Sequence, residues 1–342
     1  DWAYYFLSQI FVIISFFVVW SFSEEFLKKK IYRFISVLLL EGIYFYNYTT
    51  PEFNVYISEL PFWALTVFYT WKCYNNDNLK NLTILGIVSA IGFLSHYLFI
   101  YLLLSIDLFF IYIFFIKKEK KYNVKYFFSG LIFLLLILPH LIWLFNNEFI
   151  TLTYGMKRTT FEDSTILNHF QYPFLFLLKQ IIILTPFWVI LYFSISKFKL
   201  FKLNFKDKKF VFLLFINFFP LLLIFLTSLI FGVKIRTMWI TPFYLFIGIF
   251  FIYTFQSLIN LKKLNLFFIP FIFFFILSPV IYSSVSITQA DKRTDYPGKK
   301  IADKVQYIWN QKYKDSIDVV LGNEWSAGNL SYHLKSRPTW KG

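Results

Sequence analysis

Apolar residues recur along this chain in about ten uninterrupted blocks of roughly 17 to 22 residues, the length a helix needs to cross about 30 Å of hydrocarbon. Lipid offers no partner for a free N–H or C=O, so such blocks must close their hydrogen bonds internally, as helices. The blocks run about 3–22, 31–48, 55–72, 82–96, 98–116, 126–145, 172–194, 210–231, 238–257 and 265–284. They predict an all-α polytopic membrane protein with about ten transmembrane helices over 1–285. Charged residues are 15% of the chain against about a quarter in soluble domains, which excludes a soluble fold. The 49 Phe, with the many Ile, Lys and Asn, follow the codon usage of an AT-rich genome and carry no functional reading.

A net charge of +15 would suggest nucleic acid in a soluble protein, but here the cations sit in short loops between apolar blocks. Loops 23–33, 71–81, 117–125, 197–209 and 260–265 hold 19 Lys and Arg, whereas the short loops of the alternating set hold four. By the positive-inside rule the first set is cytoplasmic and the second faces outward, and no nucleic-acid partner is implied. The alternation requires that 81–116 break into two helices near Ser95-His96-Tyr97, which places His96 at the outer surface. Cys73 alone can form neither an internal disulfide nor a cysteine metal site. Ala3–Trp20 lacks the basic flank and small-residue cleavage site of a signal peptide, so the natural N-terminus is expected upstream of Asp1.

Longer polar stretches lie on the outer side, at 47–54, 146–172 and 232–237 and in the tail from Ser286. In the tail, Pro297-Gly298 opens a predicted helix through Trp309, a β-branched run covers 317–321, and a second helix is predicted over 327–334. Residues 286–342 therefore read as a small, incomplete α/β domain.

Ionisable groups inside spans cost at least a few kcal/mol when they face lipid. Glu41, Glu59, His96, Asp107, His140 and Gln180 should accordingly face the bundle interior or a wet cavity. For Glu41, His140 and Gln180 a helix-to-helix hydrogen bond is an equal reading, and Asp107 is expected to have a structural partner. Pro51 suits a first helical turn, which would hold Glu52 at a helix N-terminus on the outer side. Glu52 there either lines a site with Glu59 or only complements the helix dipole. Lys157, Arg158, Lys234 and Arg236 lie in outer loops against the positive-inside trend. They fit recognition of a phosphate or diphosphate, or of lipid headgroups.

The order of these features resembles the bacterial protein O-mannosyltransferase-like glycosyltransferases of the GT-C fold (glycosyltransferase family 39), relatives of the lipid A aminoarabinose transferases. The resemblance rests on Asp1-Trp2-Ala3-Tyr4-Tyr5, Thr50-Pro51-Glu52-Phe53-Asn54, and Gly86 through Leu94-Ser95-His96-Tyr97. It continues through 138–147, Gln180 with Thr185-Pro186, Arg236-Thr237-Met238-Trp239-Ile240-Thr241-Pro242, Asp295-Tyr296-Pro297-Gly298 and 322–329. His96 stands where relatives usually carry Lys, so no fixed cation is expected there.

The resemblance implies transfer of a sugar from a polyprenyl-phosphate carrier to a glycan, lipid or protein acceptor at the periplasmic face of the bacterial inner membrane, with no nucleotide cofactor. It implies an acceptor-side Asp in a first outer loop, which would lie upstream of Asp1, and either a divalent metal ion or cationic side chains on the carrier phosphate. Lys157, Arg158, Lys234 and Arg236 are then phosphate candidates. Glu52 and Glu59 take the acceptor or metal side, with no metal ligand assigned. Tyr97, His96 and Trp239 are candidates for contact with the sugar or prenyl chain. A lipid-linked-sugar flippase or other transporter is the alternative from another class, although the chain shows no internal repeat. A cell-surface polysaccharide polymerase or ligase would share the donor and differ in the acceptor.

Overall fold

The computed structural model describes residues 2–119, 123–159, 165–195, 204–289 and 296–342. Each of the ten apolar blocks is helical. The helices are α1 (Trp2–Ser23), α2 (Lys30–Leu38), α3 (Tyr44–Asn47), α4 (Val55–Asn75), α5 (Leu79–Ser95), α6 (Ile100–Ile111) and α7 (Tyr126–Asn146). A short α8 (Ile150–Lys157) follows, then α9 (Asn168–Ile183), α10 (Thr185–Ser194), α11 (Lys208–Phe231), α12 (Ile247–Phe255) and α13 (Leu264–Thr288). This is an all-α polytopic membrane protein, with a two-stranded sheet confined to its C-terminal part.

Among the described residues, five helical stretches are long and apolar enough to cross a membrane, and seven are if two pairs bent by 47° each count as one span. The pairs are α9 with α10, and Thr237–Tyr244 with α12. The other three blocks are helical too but fall short of that length-and-hydropathy criterion. Residues 31–48 break at Ile43, whose extended backbone separates the turn Leu39–Gly42 from α3. α4 carries Glu59 and Lys72, and α5 has only 17 residues.

The predicted break at Ser95-His96-Tyr97 is present. His96 is extended (φ −159°, ψ 128°) between α5 and a 3₁₀ turn over Tyr97–Phe99. The reversal is tight because Gly92 has no side chain: a Cβ there would lie 2.3 Å from the Phe99 ring. A similar contact seats α12 on α2, where a Cβ on Gly248 would lie 2.0 Å from the Ser36 carbonyl oxygen. Small residues allow backbones to approach in this way between membrane helices.

The basic loops gather at one end of the bundle. Trp71 Nε1 donates to Glu25 (3.4 Å), Asn123 to Asp77 (2.7 Å) and Tyr253 to Asp207 (2.6 Å). Lys208 pairs with Glu119 at 3.6 Å, and the Asn260 N–H reaches the Ser194 carbonyl at 3.4 Å. The loops of the alternating set meet at the other end. Ser8 Oγ and Gln9 Nε2 donate to the Thr50 carbonyl, and His169 Nδ1 lies 2.9 Å from the Leu229 carbonyl oxygen.

Residues 1–279 and 280–342 form two compact units, divided within α13. The second contains α14 (Gly298–Lys312), β1 (Val319–Leu321), α15 (Ser326–His333) and β2 (Thr339–Lys341), as the tail pattern predicts. The strands are parallel, Val319 opposite Thr339 and Leu321 opposite Lys341, which needs the crossover that α15 provides. Ala302, Ile317, Val320, Ala327 and Leu334 form its core.

Candidate functional site at the loop end of the bundle

α4 starts later than Pro51 suggests. Asn54 is the N-cap, its side-chain oxygen accepting from the Tyr56 and Ile57 N–H groups at 3.0 and 3.2 Å, and Pro51 lies in the turn before it. An Asn cap satisfies donors that Pro51 could only omit. Glu52 is therefore exposed in that turn rather than held in the first helical turn, and its electrostatic neighbour is Tyr4 of α1.

The cap turns one face of α4 inward. Glu59 is fully buried, and its Oε2 lies 3.1 Å from Nδ1 of His96, at the α5–α6 break. Its other oxygen, Oε1, has no hydrogen-bond partner among the described residues. Trp63 Nε1 and Thr66 Oγ1, four and seven residues on, are also buried without a partner. At helical spacing the three lie on one side of α4. Unpaired buried polar atoms are costly, and such a file is where water or a substrate hydroxyl is accommodated.

Around this carboxyl, Tyr56 connects the remaining elements. Its ring meets the His96 imidazole edge-on at 5.3 Å, and the Trp239 indole lies near its hydroxyl. Glu59, Arg158 and Arg236 all lie within electrostatic range of that hydroxyl. The two arginines belong to segments far apart in sequence, joined where the Lys234 N–H donates to the Thr159 carbonyl at 3.1 Å. Gly232, in the left-handed region (φ +63°), starts the second segment, and Ser228 Oγ holds it through the Val233 carbonyl at 2.7 Å.

Arg158 is exposed and braced by Tyr154, whose hydroxyl accepts from Nη1 at 2.8 Å. Lys157, Lys234 and Arg236 lie in the same two segments, all three exposed. Tyr97 is fixed away from Glu59: its hydroxyl lies 2.8 Å from both His140 Nε2 and Thr151 Oγ1, tying α7 and α8 to the break. His140 thus bonds to the turn at the break, and Gln180 accepts a hydrogen bond from Tyr244 at 3.1 Å. Glu41 is half-buried in its turn beside Asn47. Asp107 departs from expectation: it is exposed on α6, with no ion-pair or hydrogen-bond partner among the described residues. Lys120, Lys121 and Tyr122 lie outside the described residues, as do Asp1 and Asp295.

The structure thus brings Glu59, His96, Trp239, Arg158 and Arg236 around Tyr56, and leaves Glu52 beside Tyr4. Tyr56 itself was not legible as a site residue, since a Tyr at a span end reads as an interfacial anchor. For a metal ion, no group of three or more His, Cys, Asp or Glu among the described residues could hold one. Glu59 and His96 supply two donors, fewer than a three-ligand site needs, and no step below is routed through a metal.

Residues 1–143 match the family model described as dolichyl-phosphate-mannose-protein mannosyltransferase. The match covers less than half of the chain, and it supports a GT-C-glycosyltransferase-like protein. The matched stretch holds α4, the α5–α6 break and the Glu59–His96 contact, while both arginines lie outside it. The match supports a membrane glycosyltransferase with a lipid-linked sugar donor. No curated protein and no solved structure matches the chain.

Proposed function

We propose that this protein transfers a sugar from a polyprenyl-phosphate carrier to an acceptor hydroxyl at the periplasmic face of the inner membrane. The observation that carries this reading is that Arg158 and Arg236, from two loops, lie within electrostatic range of the same tyrosine that adjoins the buried Glu59–His96 pair. A phosphodiester leaving group gains charge as the sugar–oxygen bond breaks, and guanidiniums stabilise it bidentately. The donor phosphate is assigned to Arg158 and Arg236, with Lys157 and Lys234 as further cations at the rim.

On the acceptor side, the free Oε1 of Glu59 can take a hydrogen bond or proton from a hydroxyl while His96 fixes Oε2. Tyr56 and Trp239 offer aromatic surface between the two halves, suited to a pyranose. Glu52 would act only at the periphery, through the mouth near Tyr4. A divalent ion would have to be completed by phosphate oxygens, since Glu59 and His96 alone supply two donors.

The test is reconstitution in liposomes with a radiolabelled polyprenyl-phosphate hexose. Label appearing on an added acceptor supports transfer. Label crossing the bilayer with the donor intact makes the protein a flippase and overturns the reading.

A further inference from the structure

The hydroxyl of Tyr46, a buried residue of α3, donates to the Thr241 carbonyl at 2.6 Å, across 195 residues of sequence. Thr241 follows a kink in the 3₁₀ segment Thr237–Tyr244, where Ile240 leaves helical geometry (φ −101°, ψ 18°). Pro242 gives the kink a local cause: it has no N–H to offer the Met238 carbonyl, which takes the Thr241 hydroxyl at 2.7 Å instead. Past the kink the segment is anchored. Phe243 stacks on Trp63 of α4 at 4.9 Å, the Tyr244 ring lies nearly parallel to Phe45, and the Tyr244 hydroxyl donates to Gln180. On the other side of the kink lie Trp239, near the Tyr56 hydroxyl, and Arg236, within electrostatic range of it. Tyr46 thus holds the joint between an anchored half and the half that meets the site, and Glu59 lies within electrostatic range of its hydroxyl.

We propose that Tyr46 is a positioning residue, whose bond to Thr241 fixes the kink and so holds Arg236 and Trp239 at Tyr56. The competing arrangement is one hydrogen bond away. A buried carbonyl keeps a partner, and the α-helical donor for Thr241 is the Leu245 N–H, which goes to Pro242 at 3.1 Å. Without the phenol that N–H can move back by one residue to Thr241, rewinding the segment from 3₁₀ toward α pitch. The rise falls from about 2.0 to about 1.5 Å per residue, so one four-residue turn shortens by about 2 Å. A guanidinium at the end of that turn is then out of register with the phosphate it serves. The tether rests on geometry alone, whereas its effect on turnover rests on the proposed transfer reaction.

The experiment compares the full chain with Tyr46→Phe, which removes only the hydroxyl, by two readouts. Amide hydrogen exchange in nanodiscs comes first: exchange over 236–241 should rise about tenfold, while that of α4 stays as in the unmodified chain. Sugar transfer in liposomes comes second. Tyr46→Phe should lose about 10–10² in turnover, yet cost threefold at most when Arg236→Ala is already present, because the group it positions is gone. A merely structural defect would lower both backgrounds by the same factor and raise exchange in α4 as well. Unchanged exchange over 236–241, or equal losses in the two backgrounds, would overturn the proposal. If exchange rises locally but the unmodified protein transfers no sugar, the transfer reading fails and the positioning by Tyr46 stands.

Discussion

Nδ1 of His96 lies 3.1 Å from Oε2 of Glu59, across 37 residues of sequence, and that contact leaves the second carboxyl oxygen buried and unpaired. If this oxygen receives the acceptor hydroxyl, Glu59→Gln should lower turnover about a hundredfold, the size of one general-base contribution. The amide is isosteric and can still meet His96, so thermal stability should change little. Parallel transfer assays and melting curves on purified protein check this; a Gln variant with wild-type turnover removes Glu59 from the chemistry.

Tyr97 should matter for stability rather than reaction. Its hydroxyl joins His140 and Thr151 at 2.8 Å each, and Tyr97→Phe removes both contacts. At about 1 kcal/mol per bond the variant should melt several degrees lower. Amide exchange in α8 should rise with it, since Thr151 lies in that helix. Unchanged exchange would mean that the network does not hold α8.

Two glycines on helices make a matched pair. Gly248→Ala drives a Cβ toward the Ser36 carbonyl and should cost about 1–3 kcal/mol, as overpacking does. Gly130, on α7, has open space for 4 Å around the position a Cβ would take, and Gly130→Ala should be neutral or stabilising. Detergent-resistance or thermal-shift measurements on both separate a steric effect from a general intolerance of substitution.

Much of this architecture is legible in the sequence because hydropathy and the requirement for internal hydrogen bonds leave little choice. The break at His96 follows from charge alternation alone, and the C-terminal α/β pattern from its periodicity. What was not legible depends on geometry between distant segments. The competition between Pro51 and Asn54 to start α4 is decided by which side chain can satisfy N–H groups, and Asn54 wins. Gln180 was visible as a polar residue within a predicted span, but that its partner is Tyr244 was not. The joining of the segments that carry Arg158 and Arg236 depends on a backbone bond between Thr159 and Lys234 that no pattern announces.

Topology is open to direct test. A cysteine at Lys157, the end of α8, should react with a membrane-impermeant maleimide added outside intact cells, and one at Lys208 should not. Cys73 is buried and should give a low background. The reverse labelling would place the arginines in the cytoplasm and end the proposed chemistry.

The central claim is that two cations from separate loops act on one donor phosphate, and the most direct measurement is sugar transfer by Arg158→Ala, Arg236→Ala and the double variant in the liposome assay. Each single variant should lose about 10²–10³ in turnover, as removal of one charge-stabilising donor does. The double variant should lose less than the product of the two, because both act on the same group. Full activity in either single variant, with normal membrane insertion, would contradict the account.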